Sequence, residues 1–338
     1  MKVCVITFGC AFNKADSKKI EEILFKKNIE LVDENKAELL IINTCGVKRA
    51  THNRIINYLK GLKKKAIITG CLVKILRLQG LNKNLVIAKE ISEIDKLLKK
   101  EKSKKIKKLK EDIGIIQISQ GCLNNCNYCA TKIARGNLKS KTISEILGEI
   151  DSKIKNGCQE IYLTAQDTGC YGFDIKTSLS ELLEQILKEF NSLNVKFRLG
   201  MANPTYLKKN LGVIIKALNS SLFMKFLHIP VQTGSNKVLK EMGRDYKVKD
   251  FVEIVSQVRN KVKDVSVATD IIVGYPTETE KDFLETVNLL KKLKIEVVNV
   301  SKYSKMPGTV AGAMKQLSSQ DIKRRSVVLH KLIKEYKK

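Results

Sequence analysis

No apolar run in this 338-residue chain is long enough to span a bilayer. The longest, such as Leu39 to Ile42, fall far short of the roughly 20 residues a membrane helix needs. Its start, MKVCVITFGC, has too brief an apolar stretch and no small-residue cleavage site before Asn13 and Lys14, so no secretory signal is expected and the place of action is expected to be cytoplasmic. Arginine is scarce: nine of the 63 basic residues, set against 35 acidic ones. The formal net charge of +28 is therefore carried by lysine, which suits a polyanionic partner such as RNA or DNA and equally suits a proteome that uses lysine as its default surface residue. Histidine is scarcer still, at three residues, and the most telling shortage is a fourth cysteine where three stand together.

Those three are Cys122, Cys126 and Cys129, in the stretch Ser119 to Cys129, SQGCLNNCNYC. A cubane iron-sulfur cluster takes four thiolates. The next cysteine, Cys158, is too far along the chain to belong to the loop, and no histidine is near enough to stand in. One iron is left without a protein ligand, and an open position is what separates a catalytic metal site from a structural one. A structural zinc knot or a ferredoxin loop would each want the missing ligand. The spacing C-x3-C-x2-C, with the aromatic Tyr128 before the third cysteine, resembles the loop of the radical S-adenosylmethionine (radical SAM) superfamily. That resemblance implies that the methionine part of S-adenosylmethionine chelates the fourth iron and that its cleavage gives a 5'-deoxyadenosyl radical. Nine cysteines with no secretory signal agree with metal or redox chemistry in a reducing cell interior.

Residues 1–100 alternate short apolar strands (Lys2 to Thr7, Leu39 to Ile42, Ala66 to Thr69, Leu85 to Ala88) with helical stretches (Ala15 to Lys27 and Arg49 to Leu62), the pattern of an α/β layered, flavodoxin- or Rossmann-like domain. The first three strands run into Cys10, Cys45 and Cys71. A parallel sheet presents the C-terminal ends of its strands at one edge, so three thiols distant in sequence are expected to meet there and to hold a second three-cysteine cluster. Gly9, Gly46 and Gly70 would let backbone approach its inorganic core; the bland alternative is three small buried hydrophobes. Cys4, inside the first strand, is expected to be core packing.

The lysine-rich run KKEKSKKIKKLKED, Lys99 to Asp112, marks a boundary, with a basic linker at 101–112. From Ile113 the alternation restarts, with strands at Ile113 to Ser119, Glu160 to Thr164, Lys196 to Met201, Phe226 to Ile229, Ser266 to Val273 and Val297 to Tyr303. Helices fit Ser144 to Asn156, Ser178 to Phe190, Tyr206 to Leu218, Phe251 to Val262 and Glu280 to Leu293, and the chain closes on a helix within 316–338. Six βα units over 113–315 make a partial (β/α)6 barrel with its chemistry at the C-terminal mouth. Gln166, Asp167, Asn203, Gln232, Asp270 and Gly274 fall just past or near strand ends. Of these, Gln166, Asp167, Gln232, Asp270 and Gly274 are the candidate contacts to a nucleoside cofactor. His228 is read as structural, Tyr128 as packing, and Cys158 and Cys170 as non-ligands.

The motifs resemble one family closely, the methylthiotransferases, whose N-terminal pattern GC-x2-N-x2-DS, NTC and TGC is matched by Gly9, Cys10, Asn13, Asp16 and Ser17, by Asn43 to Cys45 and by Thr69 to Cys71. QDTGCYGFD (Gln166 to Asp174), RLGMANP (Arg198 to Pro204), FLHIPVQTGS (Phe226 to Ser235) and ATDIIVGYPTE (Ala268 to Glu278) are similar to its archaeal and eukaryotic branch. The resemblance runs from residue 2 to about residue 330. It implies conversion of N6-threonylcarbamoyladenosine at position 37 of tRNA, in the anticodon loop, to the 2-methylthio derivative, with S-adenosylmethionine and two 4Fe-4S clusters, held by Cys122, Cys126 and Cys129 and by Cys10, Cys45 and Cys71. It also implies an electron donor such as ferredoxin or flavodoxin, and a sulfur donor. Family members usually add a small C-terminal RNA-binding β-barrel, for which this sequence has no room before Lys338, so that module is expected to be absent. The competing readings are a sister methylthiotransferase acting on isopentenyl-adenosine tRNA or on a ribosomal protein, and a non-catalytic iron-sulfur RNA-binding or redox protein.

Overall fold

The structure is a computed structural model that describes residues 1–47, 49–101 and 111–336. Most of the expected basic linker, residues 102–110, lies outside the described residues. They form two compact units. One takes in the chain up to residue 101 with Cys129–Gly136 and Met306–Gly308; the other takes in Glu111–Tyr128, Asn137–Lys305 and the chain from Thr309 onward.

The first unit is a five-stranded, all-parallel sheet in the order Glu30–Leu31, Lys2–Thr7, Leu39–Thr44, Lys65–Gly70, Leu85–Ile87. Its central strand reads LLII because both faces are covered, as parallel sheets demand. Leu40, Ile42 and Ile68 pack with Ile55 and Leu59 of the helix Arg49–Lys60. Ile41 and Ile67 pack on the opposite face with Ile20 and Leu24 of the helix Ala11–Lys26. That helix starts four residues earlier than apolar periodicity suggests. On its first turns the polar Asn13, Asp16 and Ser17 are buried beside Phe12 and Ala15, which breaks the apolar periodicity there. Thr7 pairs with Asn43 and Thr44 with Gly70, which brings the C-terminal ends of the three central strands to one edge.

In the second unit, besides a short antiparallel pair, Ser119–Gln120 with Lys139–Ser140, six parallel strands follow in chain order: Ile113–Gln117, Glu160–Thr164, Lys196–Leu199, Phe226–His228, Ser266–Val273 and Val297–Lys302. They form two parallel three-stranded sheets, joined between the third and fourth strands by a single bridge, Phe197 to Phe223. One face of every strand is apolar and packs under the helices: Ile161 and Leu163, Phe197 and Leu199, Val267 and Ile271 all lie in the main core cluster. The expected helix Tyr206 to Leu218 is two helices, Pro204–Lys209 and Leu211–Asn219. Asn210 breaks it, its side-chain oxygen accepting from Ser180 N and Oγ while its amide donates to Tyr206 O at 2.9 Å. A buried asparagine has the same letter as an exposed one, so the break is invisible to periodicity. Among the described residues no helix is long and apolar enough to cross a membrane.

The closing helix, Ser319–Tyr336, is anchored by a buried ion pair. Arg325 Nη1 donates to Glu278 Oε2 at 2.6 Å and to Glu278 O at 3.0 Å, with the two side chains only 6% and 1% exposed. Removing one partner of a buried pair strands the other charge, so Arg325→Met is expected to cost about 3–5 kcal/mol of stability. The measurement is urea unfolding: a lower midpoint at unchanged slope is expected, and a loss under about 1 kcal/mol contradicts the anchor.

Candidate functional site

At the sheet edge of the first unit the three thiols follow their strands at once. Cys10 is the N-cap of Ala11–Lys26, Cys45 follows Leu39–Thr44, and Cys71 is the N-cap of the short helix Leu72–Ile75. Cys10 is exposed and the other two are buried. The glycines between them have no room for a side chain. A Cβ on Gly9 would stand 3.2 Å from Cys45 Cβ, and one on Gly46 would stand 2.9 Å from Cys71 Cβ. At Gly70, with φ +95, it would collide with Asn43 Oδ1 and Thr44 O in a backbone conformation that other residues rarely adopt.

Asn13 is the hub of this edge. Its amide donates to Phe8 O at 2.9 Å and to Thr44 O at 2.8 Å, tying the loops after two strands together. Asn43 returns a bond to Asn13 O at 2.7 Å and one to Ser17 Oγ at 3.0 Å, and Thr7 Oγ1 donates to Ser17 Oγ at 2.7 Å. The GC-x2-N-x2-DS and NTC motifs are thus a hydrogen-bonded frame that holds three thiols in place. Arg135, on the helix Ala130–Arg135 of the same unit, completes it. Its Nε donates to Cys71 Sγ at 3.2 Å, and its Nη2 donates to Asn13 Oδ1 at 3.0 Å and to Asp16 Oδ2 at 2.6 Å. Burial pushes the Cys45 and Cys71 thiols up, and Arg135 pulls Cys71 back. Thiols kept neutral by burial become thiolates on binding a metal, which releases their protons.

In the second unit the loop residues Cys122 and Cys126 come just past the first of the six strands. Gln166 anchors them, its Oε1 accepting from Gly121 N at 2.6 Å. Asn124 donates its side-chain amide to Cys122 Sγ at 3.2 Å and to Asp167 Oδ2 at 2.9 Å. Asp167 is fully buried, and its other oxygen accepts from Gly169 N and Asn203 N, both at 3.0 Å. Asn203 also donates to Asn124 Oδ1 at 3.1 Å. Gln166, Asp167 and Asn203 therefore brace the cysteine loop from two neighbouring strands. Cys170, read from sequence as a bystander, sits with Cys122 and Asp167 in a group whose ligand atoms all lie within 4.8 Å. Its thiol bonds Cys122 and helps hold that thiol below its ordinary range. Cys158, by contrast, is buried and bonds Glu111 O at 3.2 Å, and Cys4 packs beside the core of the first unit. Tyr128 packs edge-on to Tyr275, 6.5 Å between ring centres.

The strand faces opposite the apolar ones carry polar groups. Arg198 lies over Phe226 at 4.3 Å and Tyr162 at 5.2 Å. His228 Nε2 comes within 3.1 Å of Asp270 Oδ2, close enough for an ion pair but off the geometry of a hydrogen bond, and Asn299 donates to Asp270 Oδ1 at 2.9 Å. Gln232 stands at φ +69 with its backbone bonded to Asp270 O and Ile272 N. Gly274 gives its N–H to Glu278 Oε2, and a Cβ there would strike Ile322 of the closing helix. Of the five candidate cofactor contacts, Gln166 and Asp167 meet at the cysteine loop, Gln232 and Asp270 meet on the fifth strand, and Gly274 packs against the closing helix. From sequence Arg135, Asn124 and Asn299 have no assigned role, and Arg198 stands only as part of the motif RLGMANP, because each has at least one partner far away along the chain.

Both thiol sets suit iron-sulfur groups: soft donors with N–H donors aimed at sulfur in each, and glycines at close approach in the first. The comparisons agree. Residues 116–290 match the radical SAM superfamily, and residues 2–91 match the family described as uncharacterized protein family UPF0004. A protein of Pyrococcus abyssi named probable threonylcarbamoyladenosine tRNA methylthiotransferase is 38% identical, over 98% of this chain and 84% of that protein. The threonylcarbamoyladenosine tRNA methylthiotransferase of Homo sapiens is 34% identical, over 99% of this chain and 63% of that one. Among solved structures, the radical S-adenosylmethionine methyltransferase TsrM of Kitasatospora setae superposes with a TM-score of 0.66 over 92% of this chain and 77% of that one. At 11% sequence identity that likeness concerns the fold alone. With a superfamily match over more than half the chain and relatives of this identity along nearly all of it, the chain belongs to the radical SAM superfamily and, within it, to the threonylcarbamoyladenosine tRNA methylthiotransferases.

Proposed function

We propose that this chain converts N6-threonylcarbamoyladenosine at position 37 of tRNA to its 2-methylthio derivative. The single observation that carries the reading is the frame around Cys10, Cys45 and Cys71. Three thiols from three strand ends, cradled by glycines, occur in a chain that also has a braced three-thiol loop, and Cys4, the remaining cysteine of residues 1–100, packs beside the core instead. An adenine C2–H has neither an acidic proton nor a leaving group, so acid-base or nucleophilic chemistry does not open it. When bound, the two 4Fe-4S clusters and S-adenosylmethionine supply a 5'-deoxyadenosyl radical to remove that hydrogen and a methylated sulfur to replace it.

The chain's own residues bind and orient. Cys122, Cys126 and Cys129 hold one cluster; Gln166, Asp167, Asn124 and Asn203 keep its loop in register with the strands. Cys10, Cys45 and Cys71 hold the other, with Asn13 and Asn43 fixing the three loops. Gln232 and Asp270, with His228 and Asn299 beside Asp270, are the residues proposed to contact the nucleoside cofactor. Lysine-rich surface supplies the electrostatic part of tRNA binding. An electron donor such as ferredoxin or flavodoxin and a sulfur donor are required partners. The cytoplasm suits nine cysteines, none of them in a disulfide.

The test is incubation of the anaerobically reconstituted protein with reductant, sulfide as the sulfur source, S-adenosylmethionine and two tRNA transcripts, one carrying threonylcarbamoyladenosine and one carrying isopentenyl-adenosine, followed by nucleoside mass spectrometry. A 2-methylthio product on the first alone is expected. Product on the second alone moves the chain to the sister family, and no 5'-deoxyadenosine at all favours a non-catalytic iron-sulfur protein.

A further inference from the structure

Arg135 completes the frame around Cys10, Cys45 and Cys71, and its charge has a consequence beyond holding that frame. It stands at the end of a helix whose N-cap is Cys129, inside the first unit. Its side chain is 8% exposed and that of Asp16 is 7% exposed, so a full positive charge is held out of water beside the Cys10, Cys45 and Cys71 edge. A simple ion pair needs only Asp16. Here the guanidinium is divided: Nη2 is spent on Asp16 and Asn13, its plane lies 4.6 Å over the Phe12 ring, and Nε is left pointing at Cys71 Sγ at 3.2 Å. Asp16 and Asn13 fix the fork so that one N–H meets sulfur, and Phe12 keeps water from that face.

We propose that Arg135 is a positioning residue for the second cluster: its N–H holds the Cys71 sulfur and raises that cluster's affinity for an electron. The inference rests on the assignment of Cys10, Cys45 and Cys71 as cluster ligands. Net charge and hydrogen bonds to sulfur are what set cluster potentials. A buried cation donating to a ligating sulfur favours the reduced, more negative core, and in a dry site it is weakly screened. The asymmetry matters as well. The Arg135 Nε–H is directed at Cys71 Sγ, at 3.2 Å. Within the second cluster, the iron held by Cys71 is therefore set apart from the others.

The experiment isolates the second cluster in the full chain by replacing Cys122, Cys126 and Cys129 with alanine, then compares Arg135, Arg135→Lys and Arg135→Met in that background. Iron content is measured first, and the midpoint potential is then titrated by electron paramagnetic resonance. About four irons per chain are expected in the parent. Arg135→Met is expected to make reduction harder by about tenfold in the equilibrium constant, about 59 mV for one electron. Arg135→Lys, which keeps the charge but not the fork, is expected to shift in the same direction by less. Should the methionine protein hold no iron, the lysine protein carries the comparison. Equal potentials in the parent and in whichever variants hold iron overturn the role of Arg135. Absence of iron from the parent overturns the ligand assignment on which it rests.

Discussion

Alanine in place of any one of Cys122, Cys126 or Cys129 is expected to abolish reductive cleavage of S-adenosylmethionine, a fall of at least about a thousandfold, or about 4 kcal/mol of barrier. The reason is coordination. On the proposed assignment the loop has no thiol to spare, and Cys170, although beside Cys122, is itself bonded to Asp167 O at 3.2 Å and belongs to a different loop. The readout is 5'-deoxyadenosine by chromatography together with iron per chain, which is expected to fall by about four. Persistent 5'-deoxyadenosine in all three single variants contradicts the assignment. Because Asn124, Asp167 and Asn203 also bond one another, the variants are expected to stay folded, with unchanged circular dichroism.

Alanine at Cys10, Cys45 or Cys71 is expected to separate the two halves of the chemistry. Formation of 5'-deoxyadenosine should persist within about threefold, under 1 kcal/mol of barrier, while methylthio nucleoside falls below detection. Cys45 and Cys71 are buried, so their variants also leave small cavities; Cys10 is exposed and gives the cleaner result. If the Cys10→Ala protein still methylthiolates tRNA at an undiminished rate, the sheet-edge thiols are packing residues and the second site does not exist.

Much of this arrangement is legible in the sequence because it rests on periodicity and chain order. Parallel strands that end in Cys10, Cys45 and Cys71 need only the rule that such strands share a direction, and the register of Thr7 with Asn43 and Thr44 with Gly70 bears the expected sheet out. Glu160–Thr164, Ser266–Val273 and Glu280–Leu293 have the limits that alternation and helical spacing suggest. What stays hidden is side-chain chemistry across long separations. Arg135 reaches Asp16 over 119 positions, and Asn203 reaches Asn124 over 79. No local pattern marks either pair. The same blindness places the start of the first helix too late, since Asn13 and Asp16 look like surface residues until the edge they serve is seen. It also conceals that Gly274 is packed against Ile322.

The central claim is two iron-sulfur centres on one chain, each held by three cysteines. Anaerobic reconstitution, followed by iron and sulfide analysis with Mössbauer spectroscopy, tests it most directly. About eight irons and eight sulfides per chain, falling to about four when either cysteine triplet is replaced by alanine, is the expected result. Four or fewer in the unaltered protein, or zinc in place of iron at either triplet, contradicts it.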